Sequence, residues 1–167
     1  MIPLHERQGF TLIEVIVVLS IVMIMTAAVV PMYQGSVAWA RRDRATRDVV
    51  SRLKYAQERA ITDAAEHRFY LDDDSGTYWL VREGEENDGK RVFEELDDAG
   101  ATRARLPEQM KFEKPKASLD RELDAHYVAF YPGGACDYAT ITIAIDDRTS
   151  TKIRTEGRLG QMKVETD

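Results

Sequence analysis

The chain is 167 residues long, 44% of them hydrophobic and 31% charged, with a formal net charge of -6 and a single cysteine, Cys136. Once an N-terminal apolar segment is set apart, this length leaves one domain of about 120 residues, which excludes multidomain schemes. One cysteine excludes an intrachain disulfide, and the acidic balance argues against general affinity for nucleic acid.

The first element is the apolar run that begins at Gly9-Phe10-Thr11-Leu12-Ile13-Glu14 and reaches Ala40. From Val15 to Ala40 it carries no charge, which is more than the roughly 20 residues needed to cross the hydrocarbon of a bilayer. Glu14 is its lone acid. A carboxylate at the centre of a spanning helix costs roughly 2.5–3.5 kcal/mol on insertion scales, so such a residue needs a partner or a task. A secretory signal has an apolar core of about 7–15 residues ahead of its cleavage site, whereas this run is longer and its glycine precedes it. The pattern resembles the class III signal peptide of type IV pilin-like proteins. That resemblance implies a prepilin peptidase that cuts between Gly9 and Phe10 and methylates Phe10, making residues 1–9 a cleaved leader. It implies that the Phe10 amine is the partner of Glu14 in assembly, and that the leader is cytoplasmic while the C-terminal domain lies outside the bacterial inner membrane. The Lys/Arg count runs against this orientation, since Arg7 precedes the run and Arg41, Arg42, Arg44 and Arg47 follow it.

Beyond the run a helical pattern continues. Val37, Ala40, Arg44, Ala45, Val49, Leu53, Ala56, Ala60 and Ile61 recur at three- and four-residue intervals, which predicts an amphipathic helix ending near Ala65. Residues 10–32 are then the transmembrane part of one long helix and residues 33–66 its amphipathic part. Pro31 lies inside it, removes a backbone donor and predicts a kink or local melting. The Arg41-Arg42-Asp43-Arg44 cluster reads as a headgroup-facing or solvated surface, and Tyr33 and Trp39 suit the same boundary.

From His67 the period changes to two, opening a β domain over residues 67–167. Arg68–Leu71, the acidic turn Asp72-Asp73-Asp74-Ser75-Gly76, and Thr77–Val81 read as a hairpin. The triple Asp lacks the further oxygen ligands and late bidentate Glu of a calcium loop, so a plain turn is expected. Residues 84–89 form a polar loop. The charged stretch from Asp97 to Leu123, broken by Pro107 and Pro115, predicts only a short strand at Met110–Glu113. Tyr127–Tyr131, Ala139–Ile145, Thr151–Thr155 and Gln161–Val164 then complete an antiparallel meander. Cys136 and His126 fix no nucleophile–base geometry, His5 and His67 are isolated, and Gly133-Gly134 lacks the helix and lysine of a phosphate loop. No catalytic, cofactor or metal constellation is expected, so the reading is not an enzyme.

The order Phe130-Tyr131-Pro132-Gly133-Gly134, then a Thr/Ile strand, then Gly157-Arg158-Leu159 resembles the GspH/FimT branch of pilin-like proteins. The fold this implies is α+β, one long N-terminal helix packed against an antiparallel sheet domain. The function it implies is that of a minor pseudopilin of a type II secretion pseudopilus, assembled with other pseudopilins or pilins through the N-terminal helix. The alternative is a FimT-like minor pilin that binds DNA in natural transformation, with Lys152, Arg154, Arg158 and Lys163 as candidate phosphate contacts. Glu156, Glu165 and Asp167 interleave these cations.

Overall fold

A computed structural model of the chain describes residues 11–85, 91–146, 149–157 and 160–166, without the side chains of residues 28–39, 41–42, 145–146 and 166. Two compact units divide between Ala40 and Arg41. Helix α1, Leu12–Thr62, contributes its first part to one unit and its second part to the other.

Thr11 starts α1. Its carbonyl accepts the amides of Glu14 and Val15 at 3.1 and 3.3 Å, and its Oγ1 accepts the Glu14 amide at 3.3 Å, as an N-cap threonine does. The apolar side chains that follow are exposed on every side, from Leu12 at 80% to Ile24 at 71%. A helix apolar all round requires an apolar surrounding. Its two hydroxyls make no demand on that surrounding, because Ser20 Oγ donates to the Ile16 carbonyl at 2.8 Å and Thr26 Oγ1 to that of Val22 at 2.7 Å. Among the described residues no helix is long and apolar enough to cross a membrane. Within this segment side chains are described only to residue 27, whereas the uncharged run continues in the sequence to Ala40. Helical backbone passes through Pro31.

The helix ends at Thr62, earlier than the expected Ala65. The Asp63 amide still reaches the Arg59 carbonyl at 2.8 Å, but Ala64 adopts a left-handed conformation with φ 50, which turns the chain out of the helix. The strands are β1 His67–Leu71, β2 Thr77–Glu83, β3 Phe93–Glu95, β4 Ala104–Arg105, β5 Lys111–Phe112, β6 Ser118–Asp120, β7 Ala125–Phe130, β8 Ala139–Asp146, β9 Thr149–Glu156 and β10 Gln161–Thr166. They form two sheets. The first has the order β3-β2-β1-β7-β6, with β4 also on β2, and the second the order β10-β9-β8-β5. The expected hairpin is β1–β2. Its turn is closed by Asp72, whose carboxylate accepts the amides of Asp74 and Ser75 at 3.0 and 3.1 Å and the Ser75 hydroxyl at 2.6 Å.

One stripe of α1, formed by Ala45, Val49, Leu53, Ala56 and Ala60, packs into a core shared by both sheets. Phe69, Leu71, Leu80, Val128 and Phe130 enter it from the first sheet, and Phe112, Ile141, Ile143 and Ile153 from the second. The period of two assigns Phe69 and Leu71 to this core and leaves Arg68 and Tyr70 to the opposite face.

The charged middle is tied to the helix by polar contacts. Arg52 Nη1 donates to the carbonyls of Gly100 and Thr102 at 3.3 and 2.6 Å. The Tyr55 hydroxyl donates to Asp98 at 2.7 Å, and that of Tyr78 to Asp48 at 2.6 Å. The strand expected at Met110–Glu113 is reduced to β5; the Glu113 amide still bonds the Thr142 carbonyl in the same register, and Lys114, with φ 41, then turns the chain away.

Leu53 is fully buried at the centre of the stripe. Leu53→Ala should therefore lower stability by about 3 kcal/mol through lost burial and a residual cavity, measured by urea unfolding of the detergent-solubilised chain. A loss under about 1 kcal/mol would contradict a core shared by the helix and both sheets.

Candidate assembly site

Gly9 and Phe10 lie outside the described residues, and Glu14 lies at the third position of α1. At 1.5 Å per residue it is about 4.5 Å from the helix start. In a helix that crosses a bilayer, an acid so close to the helix start would meet less than the central-bilayer cost, since insertion penalties fall toward the interface and the N-terminal end of a helix macrodipole favours an anion. The spacing Thr11-Leu12-Ile13-Glu14 is also that of a capping box. That local signal for a helix start was available in the same residues and was missed.

At the other end, the two C-terminal sequence motifs meet on α1. Gln57 Nε2 donates to the Gly134 carbonyl at 2.7 Å, and the Cys136 amide donates to the Gly157 carbonyl at 2.9 Å. Gly160 has φ 55, and a Cβ there would collide with the Gln57 amide and the Gly134 carbonyl. The Pro-Gly-Gly turn and the terminal glycine segment therefore hold the end of the helix against the sheets. Their role is in the fold.

The candidate DNA contacts occupy β9 and β10, except Arg158, which lies outside the described residues. Arg154 donates to Glu165 at 3.0 Å and Lys163 to Glu156 at 2.8 Å, all four about half exposed. Such pairs contribute little stability, but each sets a carboxylate beside one of these two cations. Cys136 is buried, which pushes its thiol up from the ordinary value, while His126 Nδ1 lies 3.4 Å from Asp73. Among the described residues no group of three or more His, Cys, Asp or Glu is placed to hold a metal ion.

Two polar features escaped the sequence reading. On the outer face of the first sheet, the Arg68 guanidinium lies 3.7 Å from the Phe93 ring centre and 4.5 Å from that of Tyr127. Tyr70 stacks on Trp79 at 5.2 Å, and Arg103 lies 4.2 Å from the Trp79 ring centre. Burial and the hydrogen bond to Asp120 push the Tyr70 hydroxyl up to about 12. The signal for this cluster was the alternation itself, which places Arg68, Tyr70, Trp79 and Tyr127 on one face. Beneath the helix end, His67 has no exposed side-chain surface. Its Nδ1 lies 3.2 Å from the Ala65 carbonyl, and its Nε2 lies 3.2 Å from Asp63 Oδ2 without hydrogen-bond alignment. Arg59 Nη2 is 3.3 Å from the same oxygen.

Residues 4–30 match the model of the prokaryotic N-terminal methylation motif. Among solved structures, that of the minor pseudopilin EpsH from the type 2 secretion system of Vibrio cholerae is similar at a TM-score of 0.53 with 12% identity, over 75% of this chain and 93% of that chain. A second structure of EpsH from Vibrio cholerae has a TM-score of 0.49 and 15% identity, over 75% of this chain and 89% of that chain. No curated protein sequence matches. The chain thus carries a prokaryotic N-terminal methylation motif that runs into the start of α1, followed by an antiparallel sheet domain. Its α+β fold is similar to that of EpsH.

Burial pushes the His67 imidazole below its ordinary value of 6.5, with Arg59 and Arg82 acting in the same direction and the Ala65 carbonyl and Asp63 against it. The folded chain thus holds the ring neutral, whereas the unfolded chain takes up a proton below about pH 6.5. The contribution of His67 is complete above that pH and is lost as pH falls, by up to about 1.4 kcal/mol per unit. Unfolding midpoints between pH 7.5 and 5 should fall for the wild-type chain and change less for His67→Gln. Equal pH dependence in both would remove His67 as the cause.

Proposed function

We propose that the chain is a minor pseudopilin, a non-enzymatic subunit of a type II secretion pseudopilus. The observation that carries this reading is the methylation motif over residues 4–30, which spans the capped start of an apolar helix with Glu14 in its first turn. The subunit waits in the inner membrane with residues 10–32 in lipid and the β domain on the periplasmic side. A prepilin peptidase removes residues 1–9 and methylates Phe10. The subunit then leaves the membrane sideways into a fibre, in which its apolar helix packs on those of neighbouring pilin-like subunits.

The energetics suit that transfer. Apolar side chains from Leu12 to Met25 project all round the helix, so neighbouring helices can replace lipid on every side without exposing the segment to water. Glu14 supplies the register. In a low-dielectric helix bundle an unpaired carboxylate is penalised strongly, and the Phe10 amine of an adjacent subunit is the cation placed to pair with it. The acid therefore acts as a check that each incoming helix has docked at the right depth. The cross-strand pairs Arg154–Glu165 and Lys163–Glu156 give the DNA-binding alternative no support.

Co-expression with a prepilin peptidase should give an intact mass lacking Met1–Gly9 and carrying one methyl on Phe10, and Gly9→Leu should block the cut. Glu14→Ala should still be cut and inserted, but its crosslinking to neighbouring pseudopilins should fall by about ten-fold or more. An uncut wild-type chain in the presence of active peptidase would overturn the processing assignment, and undiminished crosslinking would leave Glu14 without a docking role. Loss of secretion in a deletion strain supports the secretion reading. Intact secretion with lost DNA uptake would move the chain to the FimT-like alternative.

A further inference from the structure

The second sheet has a face turned away from the core. Strand register places Lys116, Thr140, Arg154 and Lys163 side by side in one row across it, since Lys116 pairs with Thr140, Thr140 with Arg154, and Arg154 with Lys163. Residues directly opposite in neighbouring strands share a face. Lys116 is not on a loose loop. Its amide and carbonyl both bond Thr140, each at 2.9 Å, which fixes it along the edge of β8.

A groove of about 380 Å³ opens on this row. Lys116, Thr140 and Arg154 of the row line it, together with Tyr138 and Glu156. With strands about 4.8 Å apart, Lys116 and Arg154 stand two strands apart, a span that a carboxylate between two long cationic side chains fills. Arg154 uses one Nη for Glu165 and keeps its remaining donors, and no ion partner of Lys116 occurs among the described residues.

Tyr138 supplies the second feature. The residue is 76% exposed, and its ring lies over Gly157, where a Cβ would collide with the ring carbons and hydroxyl. Glycine there is what allows the ring to lie flat beside the groove. An exposed aromatic surface held next to two cations is suited to stacking on an aromatic or proline ring of a ligand that also bears a negative charge.

We propose that this groove is a binding site for an extended acidic peptide segment of a partner protein, with a carboxylate between Lys116 and Arg154 and a neighbouring aromatic or proline side chain on Tyr138. A single carboxylate fits better than a nucleic-acid strand. Glu156 and Glu165 stand beside the cations, and from Asp63 to Asp167 the chain holds 24 acidic against 15 basic residues, which repels a polyanion laid along the surface. The site depends on the β domain alone and not on fibre assembly, so it stands or falls separately from the pseudopilin reading.

The test is fluorescence anisotropy of a fluorescein-labelled Glu-Phe-Glu peptide titrated with the full chain in detergent micelles. Saturable binding that weakens with added salt is expected, with Lys116→Ala, Arg154→Ala and Tyr138→Ala each weakening it by about five-fold or more. Gly157→Ala should weaken it also by displacing the Tyr138 ring, and an unlabelled Lys-Phe-Lys peptide should not compete. Lys116→Glu, at an exposed position, checks the site without disturbing the Arg154–Glu165 pair, and unchanged unfolding midpoints confirm that the variants are folded. The proposal is overturned if binding is absent, or if Lys116→Glu and Tyr138→Ala bind as the wild type does. It is overturned equally if a labelled oligothymidylate binds more tightly than the peptide and loses affinity in the same variants, which would assign the groove to nucleic acid.

Discussion

The seam along Ala45, Val49, Leu53, Ala56 and Ala60 is the interaction on which the domain depends, because both sheets turn their apolar faces to it. Among the described residues α1 is the one helix that covers that face. Three of the five seam residues are alanines, which let the helix backbone approach the large side chains Phe69, Phe130, Ile141 and Ile153 at the density of a protein interior. Polar contacts at the rim fix the approach. Gln57 holds the Gly134 turn, and Arg52 and Tyr55 hold the segment around Asp98 and Gly100. The same α1 carries, toward its start, an apolar surface that is exposed from Leu12 to Met25. One helix thus has two occupations. Its second part packs in the domain core, and its first part carries exposed apolar side chains.

Much of this was legible because the signals are local. The run after Gly9 states its need for an apolar surrounding through composition alone, and the spacing of Val49, Leu53, Ala56 and Ala60 states which side of the later helix is buried. Alternation from His67 to Val81 locates the β1–β2 hairpin, and Ala139–Ile145 locates β8. The division into two sheets was not legible. It depends on β1 pairing with β7 and β5 with β8, and pairing between strands distant in sequence is chosen by burial of the whole core, not by any local pattern. Strands β3, β4 and β6 have two or three residues each, too few to show a period in a charged stretch. The helix end was misplaced because alanine gives no warning of a left-handed turn at Ala64.

The candidate site shows the same division. Glu14 was conspicuous because its chemistry conflicts with its neighbours, while the means that make it tolerable, Thr11 capping the helix and the dipole of the first turn, needed the helix start to be located. The row of Lys116, Thr140, Arg154 and Lys163 brings together four segments that no spacing in the chain connects. Arg154 and Lys163 were noticed as charges, but their partners Glu165 and Glu156 become visible only with the register of β9 and β10.

The central claim is that Glu14 acts in assembly through the amino terminus that cleavage exposes at Phe10. A double-mutant cycle tests it most directly, by measuring crosslinking of the chain to neighbouring pseudopilins in four forms: wild type, Glu14→Ala, cleavage-blocked Gly9→Leu, and both changes together. If the carboxylate and the new amine are partners, removing either should abolish the same interaction, and the double variant should be no worse than the worse single one. Independent, additive losses would contradict the pairing and show that Glu14 acts through some other group.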